Sequence, residues 1–226
     1  MIKLHDVSIF RPGIRPGDPI LLNANTRFGT GERIGILAKI GTGKSSIARM
    51  LSGVDEPDQG HVERQGRVSW PIGFAGFLHP NLTVAKNLEF FARLIGMPVE
   101  QVIDFCDEFC QQPGLLSKFV KDLTPTQRAM LSYSCAMVVD TPTTYIADEV
   151  IAVGVASDRE RCDEVLFERL QTGGLVYLSR NIRQIERYCD RYYVFINNRL
   201  IPCDDLVAAQ RALDRTTTQP KEQENV

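Results

Sequence analysis

Apolar and polar residues alternate from Ile2 to Phe10 and again from Ile20 to Phe28, with the turn-rich stretch from Arg11 to Gly17 between them. Period two marks strands with one covered face, so both runs are read as β-strands. Gly29-Thr30-Gly31 then turns the chain into a continuous apolar run, Ile34 to Leu37, the pattern of a buried strand. His61 to Trp70 reads as a hairpin with Gln65-Gly66 at its tip. From Thr83 to Cys110 the period changes to 3.6. Val84, Leu88, Phe91, Leu94 and Ile95 share one helical face, and Val102, Phe105 and Phe109 another, until Pro113-Gly114 interrupts. Gln127 to Val139 predicts a further helix. Tyr145–Ala147 and Leu175–Leu178 predict short buried strands. Tyr192–Phe195 and Arg199–Pro202 predict a closing pair around Asn197-Asn198. The pattern predicts an α/β fold with an N-terminal antiparallel β subdomain and a helical insert at about 80–140, in one domain over 1–215. The polar stretch 216–226 has too little apolar surface for a core and is expected to be disordered.

Composition changes this picture little. The chain has 226 residues, enough for one sizeable core, with 43% hydrophobic and 24% charged residues. A net charge of −2 offers no basic excess for nucleic acid. No apolar run approaches the ~18 residues of a membrane span, and Met1 to Asp6 has no signal-peptide core, so the chain is expected in the cytoplasm. The six cysteines, Cys106, Cys110, Cys135, Cys162, Cys189 and Cys203, form no C-x-x-C pair and are read as reduced thiols in or near the core.

Chemistry enters with Gly41-Thr42-Gly43-Lys44-Ser45. A buried strand precedes it and a helix-like segment, Ser46 to Ser52, follows, which is the order of a phosphate-binding P-loop. Backbone N–H groups across Lys39, Ile40, Gly41, Thr42, Gly43, Lys44, Ser45 and Ser46 are the candidate phosphate cradle, aided by the helix N-terminus. Lys44 suits the β- and γ-phosphates of ATP, and Ser45 suits Mg²⁺. The full pattern has a glycine where Ala38 stands. The second half of the site is Asp148-Glu149, two carboxylates at the end of the Tyr145–Ala147 strand. Asp148 is the candidate Mg²⁺ ligand, and Glu149 the candidate base for an attacking water.

P-loop, helical insert, Asp-Glu strand end and closing strands together resemble the nucleotide-binding subunit of an ABC transporter, from Met1 to about Leu206. Ser69-Trp70-Pro71-Ile72-Gly73-Phe74-Ala75-Gly76 and Asp148-Glu149-Val150-Ile151-Ala152-Val153-Gly154 resemble the ATP-binding subunits of capsular polysaccharide exporters. The resemblance implies a P-loop NTPase core that binds ATP and Mg²⁺ and drives export of a surface polysaccharide, which it contacts only indirectly. It implies a second nucleotide-binding subunit, expected to be another copy of the chain, integral-membrane permease subunits, and a place on the cytoplasmic face of the bacterial inner membrane. Residues His79 to about Arg93 would face the permease. Phe10 either stacks on adenine or is a strand-end core residue.

Several positions depart from the family's pattern. The signature loop, normally L-S-G-G-Q, is Leu123-Thr124-Pro125-Thr126-Gln127, in which Thr124 and Gln127 keep candidate contacts to the nucleotide. Pro125 lacks an N–H, and Thr126 replaces a glycine. Arg180 stands at the histidine switch, His79 at the glutamine that meets Mg²⁺ or water, and Val155 at an aspartate. The resemblance therefore gives Glu149, Arg180 and His79 as catalytic and Ser45, Asp148 and His79 as metal-facing. Three functions stay open: an ATP-hydrolysing export motor, a degenerate ATP-binding subunit with a structural or regulatory role, and a soluble P-loop ATPase. The Trp70-Pro71 run argues against the last.

Overall fold

The computed structural model describes residues 1–11, 17–139 and 143–215. Three strands, β1 (Ile2–Phe10), β2 (Pro19–Phe28) and β4 (Gln59–Arg64), form an antiparallel sheet in the order β2-β1-β4. A six-stranded sheet has the order β5-β6-β7-β3-β8-β9, built from β3 (Arg33–Ala38), β5 (Arg67–Ile72), β6 (Thr143–Asp148), β7 (Gly174–Ser179), β8 (Arg191–Ile196) and β9 (Arg199–Cys203). Its pairs are parallel except β8–β9. The hairpin expected at His61–Trp70 is not formed. Gln65-Gly66 does turn the chain, but β4 joins β1 and β5 joins β6, in different sheets. The ladder partner of each strand is distant in sequence, so the turn between β4 and β5 does not make them neighbours in a sheet.

Alternation in the buried strands feeds two cores. Ile34 and Ile36 of β3 pack with Phe28, and with Ile47 and Leu51 of α1 (Lys44–Ser52). Leu37 joins Tyr145, Leu175 and Tyr177 in the second core, with the helices on its side. A fully buried side chain of this size contributes about 1.5–3 kcal/mol. Between β5 and β6 stand α2 (Val84–Ile95), α3 (Val99–Cys110) and α4 (Pro125–Met137). The Gly96-Met97-Pro98 corner divides the expected 83–110 helical run in two, with Gly96 closing α2 in a left-handed conformation. Trp70 ties this block to the sheet, its ring 4.9 Å from Phe91 edge-on, with Phe77 stacked 5.1 Å from Phe91. After β6 come α5 (Ala156–Arg169), α6 (Ile182–Tyr188) and α7 (Leu206–Arg215).

Parallel register puts the ends of β3, β6 and β7 on one edge. Leu37 is level with Ser179, and Leu178 with Asp148. The segments after these strands carry Lys39–Lys44, Glu149 and Arg180, so the sheet itself gathers the candidate chemistry. Among the described residues all six cysteines are free and five are buried. Burial pushes the Cys110 thiol up to about 12 and Cys162 to about 11. The described residues contain no cluster able to hold a metal through His, Cys, Asp and Glu together. No described helix is long and apolar enough to cross a membrane. The 216–226 stretch lies outside the described residues.

Candidate functional site

The loop from Lys39 to Gly43 reverses the chain between β3 and α1 through left-handed glycines. Gly41 has φ 77° and Gly43 has φ 98°. A Cβ on Gly43 would lie 2.3 Å from Ile20 Cγ2, so both space and conformation require glycine there. The helix begins at Lys44, two residues before the expected Ser46. Gly43 is its N-cap, no side chain caps it, and its first turn holds no acidic residue. Its leading N–H groups are therefore left for a ligand. The Thr42 hydroxyl and Lys44 Nζ both donate to the Lys39 carbonyl at 2.8 Å, which braces the loop.

Glu149 has φ 59°, rare for a residue with a side chain and costing about 1–2 kcal/mol. Two bonds hold it there: its N–H donates to Leu178 O at 2.9 Å, and Val150 N–H closes a three-residue turn onto Asp148 O at 2.6 Å. The Tyr177 hydroxyl donates to the Glu149 carbonyl at 3.2 Å. The turn brings the Glu149 carboxylate to Lys44 Nζ, 3.0 Å away. Ser179 Oγ and the Arg180 N–H donate to its other oxygen at 3.0 and 3.3 Å. Burial acts to raise the Glu149 pKa. The bonds from Lys44, Arg180 N–H and Ser179 outweigh it and hold the carboxyl below the ordinary value of 4.5.

Ser45 Oγ donates to one oxygen of Asp148. The other, Oδ1, is buried without a hydrogen-bond partner among the described residues. An acceptor left unmatched beside a serine hydroxyl and a glycine loop is a position suited to a hard cation, so this chain's residues fit Mg²⁺. Lys44, 7% exposed, lies at the bottom of a cavity of about 680 Å³. Its walls include Ile40, Gly41, Ser46, Asp148, Glu149 and Arg180. Arg180 is exposed, and among the described residues its guanidinium has no ion-pair partner. Arg11, Asn181 and Gln184 also line this cavity and were not singled out from the sequence. Gln184 accepts the Tyr177 hydroxyl at 2.7 Å, and Asn181 caps α6.

Phe10, His79, Thr124 and Gln127 do not line this cavity, nor do Lys39 and Thr42, which brace the loop beside it. Phe10 ends β1 opposite Pro19, is half-buried, and does not line the cavity; Arg11, the next residue, does. His79 is outside the cavity as well. Its N–H donates to Asn87 Oδ1, its carbonyl accepts from Asn87, and its Nδ1 accepts from Asn81 N–H at 3.2 Å. The turn anchored on α2 thus engages the His79 backbone and Nδ1. Thr124 and Gln127 lie at the start of α4, apart from this cavity. They form a reciprocal capping box: Thr124 Oγ1 accepts from Gln127 N–H at 3.2 Å and Gln127 Oε1 accepts from Thr124 N–H at 3.0 Å.

Comparison with known proteins gives a consistent result. The sequence model of the ABC transporter family matches residues 21–152. The chain is 33% identical over 197 residues to the ATP-binding protein BexA of Haemophilus influenzae, covering 87% of this chain and 90% of that protein. It is 31% identical over 209 residues to the capsule polysaccharide export ATP-binding protein CtrD of Neisseria meningitidis serogroup B, covering 91% and 95%. The fold is similar to an ATP-binding subunit of an ABC transporter, with TM-score 0.75, 19% identity and coverage of 95% and 93%. It is also similar to the dimeric ATP-binding cassette MJ0796 bound to ADP and Pi, with TM-score 0.72, 18% identity and coverage of 88% and 96%.

Proposed function

The chain belongs to the ABC transporter family, and from that premise we propose that it is the ATP-hydrolysing motor subunit of a bacterial exporter of capsular polysaccharide. The observation that carries the reading is one cavity lined by the uncapped helix start, Lys44, Asp148 and Glu149. Its relatives' names, for capsule polysaccharide export and polysialic acid transport, supply the cargo class.

In this reading the N–H groups of the loop bind the phosphates of ATP. Lys44 exchanges its ion pair with Glu149 for the β- and γ-phosphates. Glu149, freed and ionised, takes the proton of the attacking water on its carboxylate. Arg180 adds positive charge at the outermost phosphate. Ser45 and Asp148 hold Mg²⁺, which when bound supplies charge that neutralises phosphate oxygens. A second nucleotide-binding subunit closes over the cavity, most simply another copy of the chain, bringing Thr124 and Gln127 of its own signature segment. Integral-membrane permease subunits receive the motion, at the cytoplasmic face of the inner membrane, and the glycan is contacted only through them.

The test is steady-state ATP hydrolysis by the chain assembled with its permease subunits in vesicles. Glu149→Gln is expected to slow hydrolysis by about 10²-fold or more while nucleotide still binds. Equal rates in wild type and Glu149→Gln would replace the motor with a non-hydrolytic ATP-binding subunit.

A further inference from the structure

We infer that Tyr177 is a positioning residue for hydrolysis: its hydroxyl, shared with Gln184 of the cavity wall, holds the left-handed turn that aims the Glu149 carboxylate. The inference rests on the reading of Glu149 as the base. A residue with φ 59° keeps that conformation only where its surroundings impose it. Four consecutive residues at the end of β7 do so. The Tyr177 hydroxyl donates to the Glu149 carbonyl at 3.2 Å, and Leu178 O accepts the Glu149 N–H at 2.9 Å. Ser179 Oγ and the Arg180 N–H donate to the carboxylate. Register places them there, since Tyr177 is level with Ala147 and Leu178 with Asp148. The Leu178 and Arg180 contacts are made by backbone and come with the strand pairing. The Tyr177 contact depends on its side chain, and it fixes the Glu149 backbone itself.

The hydroxyl is held in place as a donor. Tyr177 is fully buried, and its ring meets Tyr188 edge-on at 6.3 Å. Burial pushes its pKa up to about 12, so near neutral pH it keeps its proton. Gln184 Oε1 lies 2.7 Å from the same oxygen. One hydroxyl has one hydrogen to give, so the two acceptors share it. With its amide turned over, Gln184 donates Nε2–H to the Tyr177 oxygen, and the hydroxyl hydrogen goes wholly to Glu149. Gln184 stands on α6 and lines the cavity, so this contact joins the cavity wall to the turn. When ATP takes Lys44, Glu149 loses the ion pair that steadies its carboxylate at 3.0 Å. The aim on the water then depends on the backbone anchor. Loss of the hydroxyl is therefore felt in turnover and not in ATP binding.

The test measures steady-state hydrolysis by the chain assembled with its permease subunits in vesicles. Four proteins form a cycle: wild type, Tyr177→Phe, Glu149→Gln and the double variant. Tyr177→Phe removes one oxygen and keeps the ring. It is expected to lower kcat about tenfold, with KM for ATP within about twofold and an unchanged circular dichroism spectrum. In the Glu149→Gln background the same change is expected to move the residual rate by less than about twofold, because the base it aims is gone. A tyrosine that only supports the fold would lower the rate by the same factor in both backgrounds, and that result would overturn the inference. So would a raised KM with kcat unchanged, or an unchanged kcat in Tyr177→Phe beside a slow Glu149→Gln. Gln184→Leu repeats the test at a half-buried position, should Tyr177→Phe fail to fold. It is expected to lower kcat about threefold, again only while Glu149 is present. Equal losses in both backgrounds, or no loss, would overturn the inference there too. If wild type and Glu149→Gln hydrolysed ATP equally, the base reading would fall and take the inference with it.

Discussion

Helices α1 and α4 begin with the same physical problem and solve it in opposite ways. Each leaves four backbone N–H groups without helical partners. At α4, Thr124 and Gln127 satisfy each other's backbone, Pro125 removes one donor outright, and Gln127 Nε2 also donates to Gln112 at 2.6 Å. Such a cap is worth about 1 kcal/mol. At α1, glycine stands at the cap, no side chain answers the N–H groups, and they open on a cavity lined by Lys44 and two carboxylates. One end is built for stability and the other for a ligand.

That asymmetry can be broken in several ways. The largest effect concerns Arg180, whose guanidinium is unpaired among the described residues at the cavity wall. Only ATP carries an outermost phosphate, so Arg180→Ala is expected to weaken ATP-driven dimerisation about tenfold and to leave ADP affinity within about twofold. Sedimentation in a Glu149→Gln background reads this; equal loss for ATP and ADP would make Arg180 a general contact and not a sensor of the outermost phosphate. A smaller effect is expected at the capped helix. Thr124→Ala should lower stability by about 1 kcal/mol, a Tm shift of about 2–4 °C, with ATP affinity of the isolated chain within about twofold. A large loss of ATP affinity without loss of stability would erase the contrast between the two ends. The smallest concerns protons. The folded Glu149 pKa is lowered, so its ion pair with Lys44 is intact above the ordinary 4.5 and is lost only as pH falls through the lowered value. Side-chain NMR titration should give a midpoint below 4.5, and a midpoint above it would mean that Lys44 does not hold Glu149.

Legibility from sequence followed the range of the interactions. The glycine loop and the Asp148-Glu149 strand end were readable because conformation there is set locally, by residue types that permit left-handed turns and by short apolar runs. The β8–β9 pair was readable for the same reason, through Asn197-Asn198, both at positive φ. β4 and β5 were misjoined because partner choice between sheets is non-local, and Gln65-Gly66 turns the chain whichever partner each strand finds. Helix α5 escaped notice because its sequence is mostly charged and buries little beyond Cys162 and Leu166, too few for a 3.6-residue signal. The contact of His79 with Asn87 is set by the turn that opens α2 and has no signature in spacing along the chain. Arg11 gave no sequence signal at all, since an arginine at the end of a strand is ordinary.

The account rests on Lys44 holding phosphate at an uncapped helix start. The most direct measurement is equilibrium binding of MgATP to the purified chain and to Lys44→Ala, each checked for an unchanged fold by circular dichroism. The account predicts at least about tenfold weaker binding in Lys44→Ala, roughly 1.4 kcal/mol. An unchanged affinity would contradict it and remove the phosphate loop from the site.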